Sequence, residues 1–125
     1  MRNLAIGFAI TLFCSGLAYP ADALIGKYSG SVTYPGRRGD TPIGLELVIE
    51  SIESGTVKAK AAYSMRGPCA GEYLMAGTYA DNKLRLKSIE NSGRTGDCVL
   101  ILNLAAEGNS LVGATASGYR VQLSR

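Results

Sequence analysis

Histidine and tryptophan are both absent from this 125-residue sequence, and its two phenylalanines, Phe8 and Phe13, stand near the N-terminus. The lack of histidine removes the commonest metal ligand and the commonest general base at neutral pH. A Ser-His-Asp triad is excluded, so Ser64 and Ser117 have no imidazole to activate them. No metal site is expected, because cysteines without histidine or a second cysteine pair fit a disulfide better than zinc. No Walker or dinucleotide glycine fingerprint is present, and no cofactor is expected. Paired carboxylates could hydrolyse a glycoside. Here, however, Glu46, Glu50 and Glu53 lie on or near a polar strand face, and Asp40 and Asp97 lie between strands. The chain reads as a non-enzyme. Its net charge of +3 is too small to argue for nucleic acid.

What is present begins with a leader. Met1-Arg2-Asn3 gives a positive start, and Leu4 to Ala18 is almost wholly apolar. That length and flank describe a signal peptide and are short for a membrane span. Two sites obey the small-x-small rule: Gly16-Leu17-Ala18 and Ala21-Asp22-Ala23. The second is preferred, because Leu24 directly precedes the first strand-like run. Residues 1–23 are thus expected to be removed, leaving 24–125 as one domain. Cys14 would suggest lipidation, but Phe13 stands where a small residue is wanted. Removal of the leader leaves Cys69 and Cys98. An even pair in an oxidising compartment reads as one disulfide, against the alternative of two buried thiols. The expected location is periplasmic or secreted.

No helical period is visible after Ala23, whereas strand alternation is visible almost throughout. Tyr28, Gly30, Val32 and Tyr34 share a face. So do Ile43, Leu45, Leu47 and Ile49, and so do Val57, Ala59, Ala61 and Tyr63. Tyr73, Met75, Gly77 and Tyr79 follow, then Leu84 with Leu86, and Leu100, Leu102 and Leu104. Leu111 to Thr115 and Tyr119 to Leu123 complete eight strands. Ser54-Gly55, Asp81-Asn82 and Gly108-Asn109 are hairpin turns by composition. A meander of this length avoids exposed edges by closing into an antiparallel up-and-down β-barrel. The outward positions carry Lys27, Glu46, Glu50, Lys58, Lys60, Arg85, Lys87 and Arg120, where an outer-membrane barrel would need an apolar band.

In a meander, odd-numbered connections gather at one end. Those after strands one, three and five run over Pro35–Pro42, Arg66–Pro68 and Asn91–Asp97, and they carry Arg37, Arg38, Arg66 and Arg94. Cys69 and Cys98 begin strands four and six, so both fall at this same end. Mid-barrel, cysteines two strands apart are too distant to bond, since neighbours lie about 4.8 Å apart; at the rim, connections can lean together. A closed base and a basic, disulfide-braced mouth are therefore expected.

The architecture resembles that of lipocalins, avidins and small periplasmic lysozyme inhibitors. Gly26-Lys27-Tyr28 stands where lipocalins carry Gly-x-Trp, and avidin pockets depend on tryptophans that this chain lacks. The likeness carries a fold and no function. Three readings follow. In the first, a binding or inhibitor module engages a protein or an anionic envelope polymer through Arg37, Arg38, Arg66, Arg94 and Tyr34. In the second, a carrier holds a small amphipathic ligand against Tyr28, Tyr63, Tyr73 and Tyr79. In the third, the chain is a structural envelope protein without a discrete site. A monomer is expected, with neither nucleic acid nor a membrane span after the leader is removed.

Overall fold

Side-chain alternation runs through the chain and closes on itself. The computed structural model describes residues 21–36, 39–64, 69–89 and 98–125. The stretch 1–20, Arg37, Arg38, Arg66, Arg94 and the segment 90–97 lie outside the described residues. The strands are β1 (Gly26–Tyr34), β2 (Thr41–Glu53), β3 (Thr56–Tyr63), β4 (Gly71–Ala80), β5 (Lys83–Ser88), β6 (Ile101–Glu107), β7 (Ser110–Thr115) and β8 (Arg120–Ser124). Each pairs antiparallel with its neighbour in sequence, and β8 returns to β1, giving one closed eight-stranded barrel. The closing ladder runs from Ser29↔Ser124 to Thr33↔Arg120.

Three tight turns close the base. Ser54 and Gly55 both have positive φ (52° and 80°), as do Asp81 and Asn82 (52° and 64°). That is the turn geometry whose twist matches an antiparallel pair. Gly108 takes φ 61° at the third. The inward positions are filled by Leu45, Leu47, Ile49, Val57, Met75, Leu84, Leu86, Leu102, Leu111, Val121 and Leu123, all buried. An eight-stranded barrel is just wide enough for its own side chains. The cationic and acidic outward positions named above are all exposed. Among the described residues no helix is long and apolar enough to cross a membrane.

Two features bend this ring. A β-bulge between Ile49 and Ser51 in β2 resets the alternation, so Ile52 rather than Ser51 turns inward. Unbroken alternation from Ile43 would turn Ser51 inward, and an inserted residue leaves no compositional mark. Gly30, Gly77 and Gly113 also face inward. A Cβ on any of them would run into the backbone of the neighbouring strand, at Gln122, Arg85 and Asn103 respectively. Glycine there allows the sheet to coil sharply at the β1–β8, β4–β5 and β6–β7 seams.

The base has a plug. A single helical turn, α1 (Ala21–Leu24), precedes β1 and buries Leu24. The Tyr28 hydroxyl donates to the Leu24 carbonyl at 3.0 Å. Arg125 Nη2 donates to the Tyr28 hydroxyl at 2.7 Å and also to the Ala23 carbonyl. The guanidinium carbon lies 4.9 Å from the Tyr28 ring centroid, within cation–π range.

Gly77→Ala is expected to cost about 2–3 kcal/mol of stability by forcing β4 and β5 apart. Gly44→Ala, whose new methyl meets only the Ser64 side chain at 3.3 Å, is expected to cost under about 1 kcal/mol. Urea unfolding of the two variants makes the comparison.

Candidate binding site at the open end of the barrel

β1, β3, β5 and β7 end opposite the plugged base, and a disulfide ties the approaches to β4 and β6 at this end. Cys69 and Cys98 are bonded, with Cα atoms 5.5 Å apart. They bridge the position of β5 where its ladder ends: Ile89 donates its last bond to Leu74, and Ser88 pairs with Leu100. The buried Ser88 hydroxyl accepts from the Leu100 amide at 3.1 Å, which fixes the approach to β6. β6 starts at Ile101 rather than at Cys98, and Cys69 sits in the turn before β4. The two cysteines thus meet where no strand separates them.

Four tyrosines stand at this end. Tyr34 closes β1, Tyr63 closes β3, Tyr73 lies near the start of β4, and Tyr119 precedes β8. Tyr34 and Tyr119 pack with ring centroids 4.3 Å apart and tilted by 40°. Tyr63 and Tyr73 meet edge to face at 6.5 Å. The Tyr34 and Tyr63 hydroxyls are 2.5 Å apart and share one hydrogen bond. Tyr73 donates to the Cys69 carbonyl at 2.5 Å, tying the ring to the disulfide. Between these rings, Leu100, Ile101 and the Thr115–Ser117 segment lies an open cavity of about 320 Å³. Thr115 holds the last wall in place, accepting the Tyr119 amide on its hydroxyl at 3.2 Å.

The hydroxyls differ in what they offer. Each phenol has one proton to give. In the Tyr34–Tyr63 pair one proton is used internally and one is left. Tyr73 spends its proton on Cys69 and presents lone pairs. Among the described residues the Tyr119 hydroxyl has no hydrogen-bond partner. Burial, with the Tyr34 hydroxyl as the next cause, holds the Tyr63 phenol well above its ordinary range. Burial also raises Tyr73. The cavity therefore presents phenol hydroxyls as both donors and acceptors, together with apolar ring faces. Among the described residues no cluster of histidine, cysteine or acidic side chains could hold a metal.

The tyrosines named from the sequence divide between the two ends. Tyr34, Tyr63 and Tyr73 come together, whereas Tyr28 lies in the base against Leu24 and Arg125. Tyr79 lies beside the Asp81-Asn82 turn, donating to Asn82 Oδ1 at 3.1 Å. Inward parity alone does not say how far along the barrel a side chain lies. Tyr119 shares the inward parity of Val121 and Leu123 in β8, and neither sequence-named tyrosine set includes it. Its position next to the β7–β8 connection was the signal that assigns it here. Arg37, Arg38, Arg66 and Arg94 belong by sequence to connections between strands that end at this rim, and all four lie outside the described residues. No family model matches this sequence, and no curated protein or solved structure matches it.

Two predictions follow from this geometry. A phenol whose folded-state pKa is raised stabilises the fold below its unfolded pKa of 10.0, and that contribution is lost as pH rises beyond it. Wild-type stability is expected to fall as pH rises above about 10, and Tyr63→Phe to fall less steeply, as read by urea midpoints at each pH. Replacing both Cys69 and Cys98 by serine opens a loop with a sequence separation of 29 residues. The expected loss is about 3–4 kcal/mol, read by the same unfolding assay.

Proposed function

We propose that this protein is an exported, non-enzymatic binding module that holds a macromolecular partner at the open end of its barrel. The observation that carries the reading is the asymmetry of the two ends. One is closed by three tight turns and plugged by Leu24; the other presents a tyrosine-lined cavity of about 320 Å³. Binding residues commonly stand on connections held by a rigid scaffold, and a disulfide at the rim limits the entropy lost when the mouth engages a partner. The leader-like start, the disulfide and the small braced domain suit a periplasmic or secreted setting. Arg37, Arg38, Arg66 and Arg94 would add fork-shaped donors for carboxylate or phosphate around the mouth. A side chain or ring of the partner would enter between Tyr34 and Tyr119, where unused hydroxyl donors await an acceptor.

The cavity itself favours a second reading, a carrier of a small amphipathic ligand, because its volume falls at the lower end of the range for small-molecule sites. Such a ligand would sit against Tyr34, Tyr63, Tyr73 and Tyr119, since the interior below them is filled by buried side chains. Tyr28 and Tyr79 would then take no part.

Crosslinking capture from extract of the native host separates these readings. Wild-type protein is expected to retain a defined protein or polymer partner. Arg37→Glu/Arg94→Glu and Tyr119→Ala are each expected to lose it. Unchanged capture by both variants contradicts the macromolecular reading, and a small molecule co-purifying in native mass spectrometry supports the carrier instead.

A further inference from the structure

The outer wall of the barrel carries its charge unevenly, and the strand register shows how. The outward acids Glu46, Glu50 and Glu53 lie on β2, and Glu72 stands outward near the start of β4, before the stretch between the two rows. Next to it, β3 presents Lys58 and Lys60; two strands on, β5 presents Lys83, Arg85 and Lys87. All five cations are exposed. Between the two rows runs β4, whose outward residues there are Leu74, paired with Lys60, followed by the smaller Ala76, Thr78 and Ala80. Lys58 pairs with Ala76, which pairs in turn with Lys87. Thr78 pairs with Arg85, and Ala80 with Lys83. The result is a shallow strip along β4 flanked by staggered cations, Lys60 and Lys58 beside Leu74 and Ala76 on the β3 side and Lys87, Arg85 and Lys83 beside Ala76, Thr78 and Ala80 on the β5 side, the two rows facing each other across Ala76. The banks lie about 9–10 Å apart, and charges repeat about every 7 Å along each bank.

Among the described residues one of these cations has an acidic partner: Lys60 faces Glu50 at 3.6 Å. Lys58, Lys83, Arg85 and Lys87 have no ion pair among the described residues. Like charges two residues apart on one strand repel one another, so an anionic chain laid between the banks gains attraction and relieves that repulsion.

We propose that this face binds a linear acidic polysaccharide that lies along β4, with its carboxylates directed to the Lys58–Lys60 bank on one side and the Lys83–Arg85–Lys87 bank on the other. The strip selects the class of polyanion. It has no aromatic residue on which a nucleic-acid base would stack. Its floor of the Leu74 side chain, the Ala76 and Ala80 methyls and the Thr78 hydroxyl suits the mixed apolar and hydroxyl surface of a sugar ring better than a bare phosphate chain. Cations staggered along one strand suit a strand-like ligand, and the two exposed apolar residues at one end, Leu74 and Ile89, fall short of the apolar face that a membrane-surface site inserts. This site lies on the barrel wall, separate from the cavity at the open end, and stands whatever that cavity holds.

The test uses the whole exported protein and fluorescently labelled oligogalacturonate, followed by anisotropy. Binding is expected to weaken at least about tenfold between 50 and 200 mM salt, as released counterions require. Arg85→Glu/Lys87→Glu is expected to lose at least about tenfold in affinity, and the milder Arg85→Gln/Lys87→Gln to lose a smaller factor with unchanged thermal unfolding. Lys27→Glu, on the β1–β2 side, is expected to stay within about twofold of wild type. Neutral dextran is expected not to bind. Equal affinity in the Gln variant, or equal binding of dextran, overturns the proposal. Tighter binding of polyphosphate or single-stranded DNA of matched charge overturns the assignment to a polysaccharide.

Discussion

The pairing of β8 with β1 is the interaction on which the rest of the structure depends. It joins the two ends of the folded chain through the register Ser29↔Ser124 to Thr33↔Arg120. Without it, eight antiparallel strands form an open sheet with two unsatisfied edges, each a template for aggregation. With it, every strand has two partners, one face becomes an interior and the other a surface. The Arg125 contact with the Tyr28 hydroxyl lies just past this seam and holds the last residue against β1.

Closure creates a packing problem that the sequence answers locally. Strands that curve into a narrow ring must approach closely at some positions, and Gly30, Gly77 and Gly113 are those positions. The bulge in β2 adds a further bend and turns Ile52 into the base. With large aliphatic side chains filling the middle and a plug below, free space inside the barrel is pushed to the end where connections are long. The tyrosines at that end are partly wet and partly buried. An amphipathic ring tolerates that setting better than an aliphatic chain would. The disulfide reinforces the same end, where β5 no longer separates its neighbours.

Much of this was legible in the residues. Period-two alternation gave the eight strands, and the turn dipeptides ordered them as hairpins. The positions of Cys69 and Cys98 beside odd-numbered connections put both at one rim, and their bond confirms that reasoning. What stayed hidden has physical causes. The β2 bulge depends on hydrogen-bond phase rather than on composition. The depth of each tyrosine depends on barrel shear, so Tyr28 and Tyr79 shared a parity with Tyr63 and Tyr73 without sharing a place. The turn at Ala21–Leu24 is too short to show a helical period. The cationic banks beside β4 required register, because Lys58 and Lys87 are far apart in sequence and become near neighbours only through Ala76.

Amide hydrogen exchange across the β1–β8 seam tests the account most directly. A closed ring makes both strands interior members of one ladder. The amides of residues 29–33 and 120–124 that bond across the seam should then exchange as slowly as those in the β2–β3 ladder. Fast exchange confined to those amides, with the other ladders protected, would show an open sheet and contradict it.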